Sequence, residues 1–282
     1  MINKPVRRVK IVPGSGFFAL AVINLFSVIT AAQFTPEEIA GRPVWESFLK
    51  TAKIVKAEDI GEGVTKPKKL LLSKDGLEAA GVWKRPAALG AELNDRWECE
   101  IAAYRLDKLL GLNMVPTTVE RRFRMNTGSL QLWVDVPISE KKMAEQKFSA
   151  PEDRRIHYEK MRALQRAFDS LIANSDRSLE NLRYTADWRM ILIDHSRAFR
   201  DSDPFVDRLI YGKNGLRAAQ VFAPLPRLFV ERLRGLGYEK IRATVENYLT
   251  SSQIKAMLVR RNLLLKEIDD LIAERGEDAV LY

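Results

Sequence analysis

Cysteine and histidine are scarce in this 282-residue chain, which has one cysteine, Cys99, and two histidines, His157 and His195. A single cysteine excludes an intramolecular disulfide and a cysteine-rich zinc site, and two histidines argue against a histidine-based metal cluster. The GxSxG signature of an α/β-hydrolase nucleophile is also missing. Internal repeats and low-complexity tracts are not evident, so the composition predicts an ordinary globular protein.

The chain carries a formal net charge of +9, with 46% hydrophobic and 29% charged residues. Its length is sufficient for one large domain or two modest lobes. Residues 1–32 contain four basic side chains and no acidic ones, so the remainder would carry +9 − 4 = +5. Basic clusters at residues 121–124 and 260–261 lack neighbouring runs of aromatic side chains. We interpret them as solvated faces and predict no nucleic-acid partner.

The first 32 residues have the pattern of a secretory signal peptide, with a basic start, an apolar run and small residues at its end. The apolar run from Phe17 to Ala32 has 16 residues. As a helix it would span about 24 Å, short of the ~30 Å hydrocarbon core of a membrane. We therefore expect residues 1–32 to be a cleaved signal that exports the protein to a periplasmic or extracellular location, without a permanent membrane span. An uncleaved membrane tether and a buried N-terminal helix are the alternatives.

Residues 33–137 contain short, β-like segments and are predicted to form a small N-terminal lobe with one helix. Two apolar runs, KKLLLS and LEAAGVWK, flank the pair Asp75-Gly76, which is a good hairpin signal. The helix is predicted to begin near residues 94–95 and to end before Gly111, because its apolar residues recur on one stripe. After it, two further strands flank an Asn-Thr-Gly turn.

Residues 138–282 are predicted to form a larger, mainly helical C-terminal lobe. Pro151 and the two acids after it mark the start of a helix whose apolar residues, from Met161 to Ile172, recur at three- and four-residue steps. A final helix with a Ser252 cap carries apolar residues on one face. The fold class is therefore α+β, in the arrangement of the two-lobed protein-kinase-like fold.

Three polar residues flank an apolar strand in the segment NSDRSLENLRYTADWRMILIDHSRAF, which covers residues 174–199. Asp176 and Asn181 have the D-x4-N spacing of a kinase catalytic loop, in which Asp accepts a hydroxyl proton and Asn contributes an amide oxygen to a metal. Asp194 follows Asn181 by thirteen residues, and a hairpin between them would bring the two side chains together. Hard oxygen ligands suit Mg²⁺ or Mn²⁺ better than zinc. The segment therefore predicts a phosphoryl-transfer site.

A cation for the phosphates of a nucleotide is predicted upstream of this segment. Lys84 ends the strand GVWK, at the place of the strand lysine of kinases, and the following helix offers Glu98 and Glu100 as its ion-pair partner. Gly61 and Gly63, in DIGEGVTKP, are expected to form the turn over the nucleotide. A lysine replaces the third glycine of GxGxxG, so this loop is a weak signal by itself.

The segment from Glu98 to Arg121, ECEIAAYRLDKLLGLNMVPTTVER, resembles the region around the helix C glutamate of the secretory-pathway Golgi casein kinase and xylosylkinase family. The stretches IANSDR and LIDHSRAF are likewise similar to the catalytic loop and the DNG metal motif of that family. The D-R-x-x-x-N form also resembles phosphoinositide lipid kinases and HipA-type kinases. The resemblance covers roughly residues 53–200, which is most of the chain beyond the expected signal.

This resemblance implies a role for each candidate residue. Lys84 and Glu100 would form the ion pair that holds the lysine on the nucleotide phosphates, and Asp176 would be the catalytic base. Asp194 would be the principal metal ligand. Asn181 would ligate the metal beside it, as in ordinary kinases and lipid kinases.

The resemblance also implies ATP and Mg²⁺ or Mn²⁺ as cofactors, with a hinge at residues 132–136, around Trp133 and Val134, that takes the adenine edge. We expect a phosphotransferase acting on a hydroxyl of a protein or glycan acceptor in the cell envelope or outside the cell. Ser178 and His195 stand where relatives have other residues, and free ATP is expected to be scarce outside the cytoplasm. The alternative is therefore a catalytically inactive, nucleotide-binding pseudokinase that acts as a scaffold or sensor.

Overall fold

Five antiparallel strands form the main sheet of the protein. Their bounds are Lys53–Asp59 (β1), Lys68–Lys74 (β2), Leu77–Lys84 (β3), Thr118–Phe123 (β4) and Asn126–Leu132 (β5), in the order β1-β2-β3-β5-β4. The computed structural model describes residues 34–61, 67–85, 95–217 and 222–282. In β2, Leu70 and Leu72 are buried and their neighbours are less so, which is the period-two pattern of a half-buried strand.

The predicted hairpin joins β2 and β3, and its register pairs Lys74 with Leu77. Between them, Asp75 and Gly76 have φ angles of 51° and 79°. Two consecutive residues with positive φ characterise the type I′ turn, which Asp-Gly sequences favour. The local sequence therefore determines the register of the strand that ends at Lys84.

Two helices that the sequence interpretation did not include, α1 (Pro36–Ala40) and α2 (Arg42–Thr51), precede the sheet. The Thr35 hydroxyl accepts a hydrogen bond from the Glu38 backbone N–H, and the Glu38 carboxylate accepts one from the Thr35 N–H. This reciprocal capping box starts α1, and its sequence TPEE has the pattern that marks the start of a helix. Helix α2 buries Leu49 in the core of the sheet. The β-rich part of the chain therefore has two helices besides the one predicted.

The predicted helix is α3, Trp97–Leu110, which begins two residues later than expected and ends at Gly111. Gly111 has a left-handed φ of 74°, the usual conformation of a glycine that ends a helix. The buried residues Ala103, Leu106 and Leu110 of α3 belong to the large hydrophobic cluster of the helical part. The sheet has a smaller cluster of its own. The larger core therefore sets the position of α3.

The C-terminal part is mainly helical, as predicted. Its helices are α4 (Glu140–Gln146), α5 (Arg155–Leu171), α6 (Arg227–Arg234), α7 (Tyr238–Val245), α8 (Ser251–Arg275) and α9 (Glu277–Val280). Helix α5 follows Pro151 and a short 3₁₀ turn, and it buries the predicted apolar stripe that includes Leu164, Phe168 and Leu171. This helix supports the loop that carries the candidate catalytic residues.

The predicted Ser252 cap of the last long helix is wrong, because α8 is capped by Thr250. The Thr250 hydroxyl accepts the Gln253 backbone N–H at 3.2 Å, and the Gln253 side chain accepts the Thr250 N–H at 2.9 Å. This reciprocal pair satisfies two terminal N–H groups and leaves Ser252 inside the first turn.

A second antiparallel sheet has three short strands, Ile138–Ser139 (β6), Leu182–Tyr184 (β7) and Met190–Leu192 (β8), in the order β6-β7-β8. The pairing of Leu182 with Leu192 forms the hairpin predicted between Asn181 and Asp194. The lobe boundary after residue 137 falls just before β6 and stays a prediction.

Two of the predictions concern residues outside the described ranges, namely the signal peptide at residues 1–32 and Gly63. Within those ranges, none of the helices combines the length and the apolar character needed to cross a membrane.

Candidate active site

Lys84 is the last residue of β3, and its ammonium group contacts two carboxylates. Lys84 Nζ lies 2.7 Å from Glu100 Oε1 and 2.8 Å from Asp194 Oδ1. Glu98, the other glutamate offered by the sequence, lies 3.7 Å from Arg96 instead. The structure therefore joins the end of β3, helix α3 and the segment after β8 at a single lysine.

Burial and charge act in opposite directions on this ion pair. The side chains of Lys84 and Glu100 are only 13% and 2% exposed. Burial by itself would lower the pKa of Lys84, but the carboxylates of Glu100 and Asp194 outweigh it and raise that pKa above its ordinary value. Burial would raise the pKa of Glu100, but Lys84 and then His195 hold it below its ordinary value. Both groups are therefore charged at neutral pH.

The β7–β8 hairpin brings Asn181 and Asp194 together. Asn181 Nδ2 donates to Asp194 Oδ2 at 3.3 Å, across a sequence separation of thirteen residues. Asp194 has a left-handed φ of 64°, which is uncommon for a residue other than glycine. Its carboxylate is 37% exposed, so oxygen atoms remain accessible from the adjoining cleft. These two predicted metal-site residues and Lys84 form one cluster.

Asp176, the predicted base, is exposed and contacts Arg197. Its side chain is 55% exposed, and Asp176 Oδ2 lies 3.2 Å from Arg197 Nη1. The Arg197 guanidinium is in turn held by Asp95, with Nε–Oδ1 and Nη2–Oδ2 distances of 3.0 and 3.2 Å. The contact that positions Asp176 thus comes from a residue three positions after Asp194. Neither Arg197 nor Asp95 was identified from the sequence.

A buried ion pair between Arg177 and Asp169 connects the loop that contains Asp176 to helix α5. Arg177 Nε and Nη2 each donate to a carboxylate oxygen of Asp169 at 2.9 Å, and both side chains are at most 1% exposed. Burial opposes ionisation of Asp169, but Arg177 lowers its pKa below the ordinary value. The sequence contained a signal for this pair, because Asp169 interrupts the apolar stripe of α5. We did not predict its role.

His195 is fully buried next to these groups, and its ring packs edge-on against Phe168 at 6.3 Å between centroids. Burial lowers the pKa of His195, although the nearby carboxylate of Glu100 acts in the opposite direction. The imidazole is therefore neutral at physiological pH.

A cavity of about 350 Å³ opens beside Lys84 and Asp194, between the five-stranded sheet and the β7–β8 hairpin. The predicted hinge, residues 132–136, forms one wall of it. Trp133 donates its backbone N–H to Ala80 O at 2.9 Å. The residue is 43% exposed, and Lys69 Nζ lies 4.2 Å from the centroid of its indole ring. The Trp133 side chain is therefore at the rim of the cavity, and Val134 follows it along the wall.

The predicted glycine turn is described only in part. Gly61 is the last residue before the gap at residues 62–66 and has a left-handed φ of 76°, as a tight turn requires. Ile60 and Pro67, on the two sides of the gap, both line the cavity. The predicted turn over the nucleotide stays a prediction, because Gly63 lies outside the described residues.

The donor groups next to the cavity fit a hard divalent cation. Asp194 offers carboxylate oxygens and Asn181 offers an amide oxygen, which are the ligand types that Mg²⁺ and Mn²⁺ prefer. Among the described residues, no three histidine, cysteine, aspartate or glutamate side chains converge as a ready-made metal-binding group. Asp194 and Asn181 are the residues that would hold a metal here.

Comparison with solved structures shows the fold. A Golgi casein kinase structure with Mn and ADP bound is similar, with a TM-score of 0.61, 16% identity, and coverage of 89% of this chain and 80% of that one. The structure of hydra Fam20 with a sugar is also similar, with a TM-score of 0.60, 16% identity, and coverage of 84% and 90%. No protein-family model matches the chain, and no curated protein matches it. The predicted two-lobed, kinase-like fold is confirmed.

Proposed function

We propose that this chain, which has the kinase-like fold, is an ATP- and divalent-metal-dependent phosphotransferase that transfers phosphate to a hydroxyl group. The observation that carries the proposal is the position of Lys84, within 2.8 Å of both Glu100 and Asp194 at the edge of the cavity under the hinge. Phosphoryl transfer depends almost entirely on positioning and electrostatic stabilisation. A held lysine, a metal-binding carboxylate and a nucleotide-sized cleft supply these requirements.

In this proposal the cleft binds the nucleotide. The backbone of residues 132–136 takes the adenine edge, with Trp133 and Val134 at its centre. Lys84, oriented by Glu100, donates to the phosphates that are not transferred. The sequence pattern around Gly61 supports a turn that would cover them.

Asp194 and Asn181 would hold Mg²⁺ or Mn²⁺ through their side-chain oxygens. When bound, the metal would neutralise charge on the β and γ phosphates. The similarity to a casein kinase structure that contains Mn and ADP supports this choice of cofactors.

Asp176 would accept the proton of the acceptor hydroxyl as the oxygen attacks the γ phosphate. The exposed position of its carboxylate suits this role, because the acceptor must reach it from solvent. The Arg197 guanidinium holds the carboxylate by an ion pair at 3.2 Å and thereby limits its rotation.

For the acceptor we propose a hydroxyl of a protein or glycan in the cell envelope or outside the cell. The signal-like pattern of residues 1–32 supports an exported protein. The similar structures are a Golgi casein kinase and a Fam20 protein solved with a sugar, which supports a test of both a protein and a glycan as acceptors.

The test is incubation of the purified protein with labelled ATP and Mn²⁺ or Mg²⁺, with casein and a glycan as acceptors. We expect transfer that is lost in Asp176→Asn, whereas this variant still shows a thermal shift with nucleotide and metal. Asp194→Asn should lose both transfer and the metal-dependent shift. The absence of transfer to protein, glycan or water by the unmodified protein would contradict the proposal.

The pseudokinase alternative predicts a different combination of results. It is supported by the Arg197–Asp176 ion pair, which engages the carboxylate of the proposed base. It is also supported by Ser178 and His195, which stand where relatives have other residues. Nucleotide binding that requires Asp194, together with no transfer and no effect of Asp176→Asn, would favour it.

A further inference from the structure

His195 contacts two parts of the proposed active site through opposite edges of its ring. On one edge, Arg177 Nη2 lies 3.0 Å from His195 Nε2, and both side chains are buried. A guanidinium group has only N–H donors. The hydrogen bond therefore requires a lone pair on Nε2, and the ring must carry its hydrogen on Nδ1.

The other edge of the ring faces helix α3. His195 Nδ1 lies 3.6 Å from Glu100 Oε2, and it has no hydrogen-bond partner among the described residues. The same Glu100 oxygen accepts the backbone N–H of His195 at 3.0 Å. At 3.6 Å the Nδ1 hydrogen makes an electrostatic contact, longer than a hydrogen bond, with a carboxylate that already binds the His195 backbone. Glu100 uses its second oxygen for Lys84.

Arg177 connects this histidine to the loop and to the hairpin. Its Nη1 donates to the carbonyl oxygen of Ile193 at 2.5 Å and to that of Asn181 at 3.3 Å. These two carbonyls come from the two ends of the β7–β8 hairpin. Because Asp169 fixes the same guanidinium, Arg177 holds the hairpin ends against α5.

We propose that His195 is a positioning residue that ties the catalytic loop to the lysine–glutamate pair. The link runs from Arg177 through the imidazole to Glu100 and so to Lys84, and it crosses from the helical part of the chain to the sheet. One edge of the ring orients Arg177 and with it the loop of Asp176 and Asn181. The other edge orients Glu100 and with it the lysine on the nucleotide. The inference rests on the proposed function.

The first test reads the tautomer of His195 and does not require activity. The chain has only two histidines, so long-range ¹H–¹⁵N NMR of the folded protein shows two imidazoles, and His157→Gln assigns them. We expect His195 to carry its hydrogen on Nδ1 and to have an unprotonated Nε2. A hydrogen on Nε2 would exclude the Arg177 hydrogen bond and overturn the inference.

The second test separates the two edges of the ring with two substitutions. In His195→Asn the amide nitrogen takes the place of Nδ1 and still faces Glu100, but the side chain is too short to reach Arg177. In His195→Gln the amide oxygen reaches the place of Nε2 and accepts from Arg177, but no N–H replaces Nδ1. Each variant therefore keeps one contact and loses the other.

The expected kinetic result is a split between kcat and KM. Loss of the Arg177 hydrogen bond, which involves a charged group, corresponds to a change of about tenfold or more, whereas loss of the longer Nδ1–Glu100 contact should have a smaller effect. We expect His195→Asn to lower kcat about tenfold with little change in the KM for ATP, and His195→Gln to raise that KM about threefold with a smaller effect on kcat. Equal changes of both constants in both variants, or changes below twofold, would indicate a purely structural residue and contradict the proposal.

A failure of the inference about His195 can be distinguished from a failure of the proposed function. If the unmodified protein shows no transfer, the phosphotransferase proposal fails, and calorimetry with ADP and Mn²⁺ then tests the inference. His195→Gln should weaken nucleotide binding about threefold, and His195→Asn should leave it nearly unchanged. Equal affinities of the two variants would overturn the inference independently of catalysis.

Discussion

The ion pair between Lys84 and Glu100 allows stability and activity to be measured separately. Lys84→Met leaves a carboxylate that is 2% exposed without its principal partner. Breaking one side of a buried pair costs about 3–5 kcal/mol. We expect denaturant titration to show a loss of this order and labelled-ATP assays to show at least a hundredfold loss of transfer.

The control for this prediction is the double variant Lys84→Met with Glu100→Gln. It removes the uncompensated charge, so most of the free energy of unfolding should return. The transfer activity should remain lost, because the lysine is still absent. Recovery of activity in the double variant would show that the pair has no role in the reaction.

The lowered pKa of Glu100 gives the folded protein a specific dependence on acid. Since the folded pKa lies below the ordinary value of 4.5, the ionised glutamate stabilises the fold fully above about pH 4.5. This contribution decreases as the pH falls toward the folded pKa. Glu100→Gln lacks it, so the stability difference between the unmodified protein and the variant should narrow on acidification, by up to about 1.4 kcal/mol per pH unit.

The measurement is the free energy of unfolding of both proteins by urea titration between pH 7 and pH 3. A constant difference over this range would show that Glu100 has the same pKa in the folded and unfolded states.

At the level of elements, the end of β3 depends on a close approach by β5. A Cβ atom added at Gly128 would lie 2.4 Å from the carbonyl oxygen of Lys84 and 3.0 Å from the ring of Trp83. The backbone of β3 would have to move, and Lys84 would move with it. We expect Gly128→Ala to cost about 1–3 kcal/mol of stability and to weaken ADP binding in the presence of Mn²⁺.

The matched control is Gly237→Ala at the start of α7. An added Cβ there meets no heavy atom within 4 Å, and the φ of −115° suits any residue. The free energy of unfolding of Gly237→Ala should stay within about 0.5 kcal/mol of that of the unmodified protein, and nucleotide binding should be unchanged. Similar losses in both variants would show that β3 tolerates the added methyl group.

At the scale of the whole molecule, Arg42 connects the two hydrophobic cores. It lies at the start of α2, which packs on the sheet, and its guanidinium donates to Asp107 of α3 at 3.2 Å and to Asn113 at 2.7 Å. The side chain of Asp107 is fully buried. Helix α3 belongs to the larger core, so this link crosses between the two clusters.

We therefore expect Arg42→Met to destabilise the protein by about 3 kcal/mol and to reduce its cooperativity, because it leaves Asp107 without its cation. Unfolding transitions followed by tryptophan fluorescence and by far-UV circular dichroism should coincide in the unmodified protein and separate in the variant. Arg234→Met removes an exposed partner of Asp269 and serves as the control, with a change below about 1 kcal/mol. Coincident transitions in Arg42→Met would contradict this account of the link.

Local sequence was sufficient for the elements that carry the candidate site and for the order of its residues, but helices α1 and α2 were not predicted. The Asp75-Gly76 turn, the stripe of α5 and the hairpin between Asn181 and Asp194 all depend on residues close together in the chain. For this reason the turn chemistry and periodicity predicted them. The predicted cap of α8, Ser252, is two residues after the observed cap, Thr250, because neighbouring hydroxyl residues compete for the same role.

The sequence by itself determined the kinase-like pattern and the identity of the five polar side chains proposed to act in transfer. Only the tertiary structure decided how they are held, through Arg197 on Asp176 and through His195 between Arg177 and Glu100. These contacts join residues up to 95 positions apart, so no local periodicity or turn signal reports them. They form because buried polar groups must find partners once the two cores have packed.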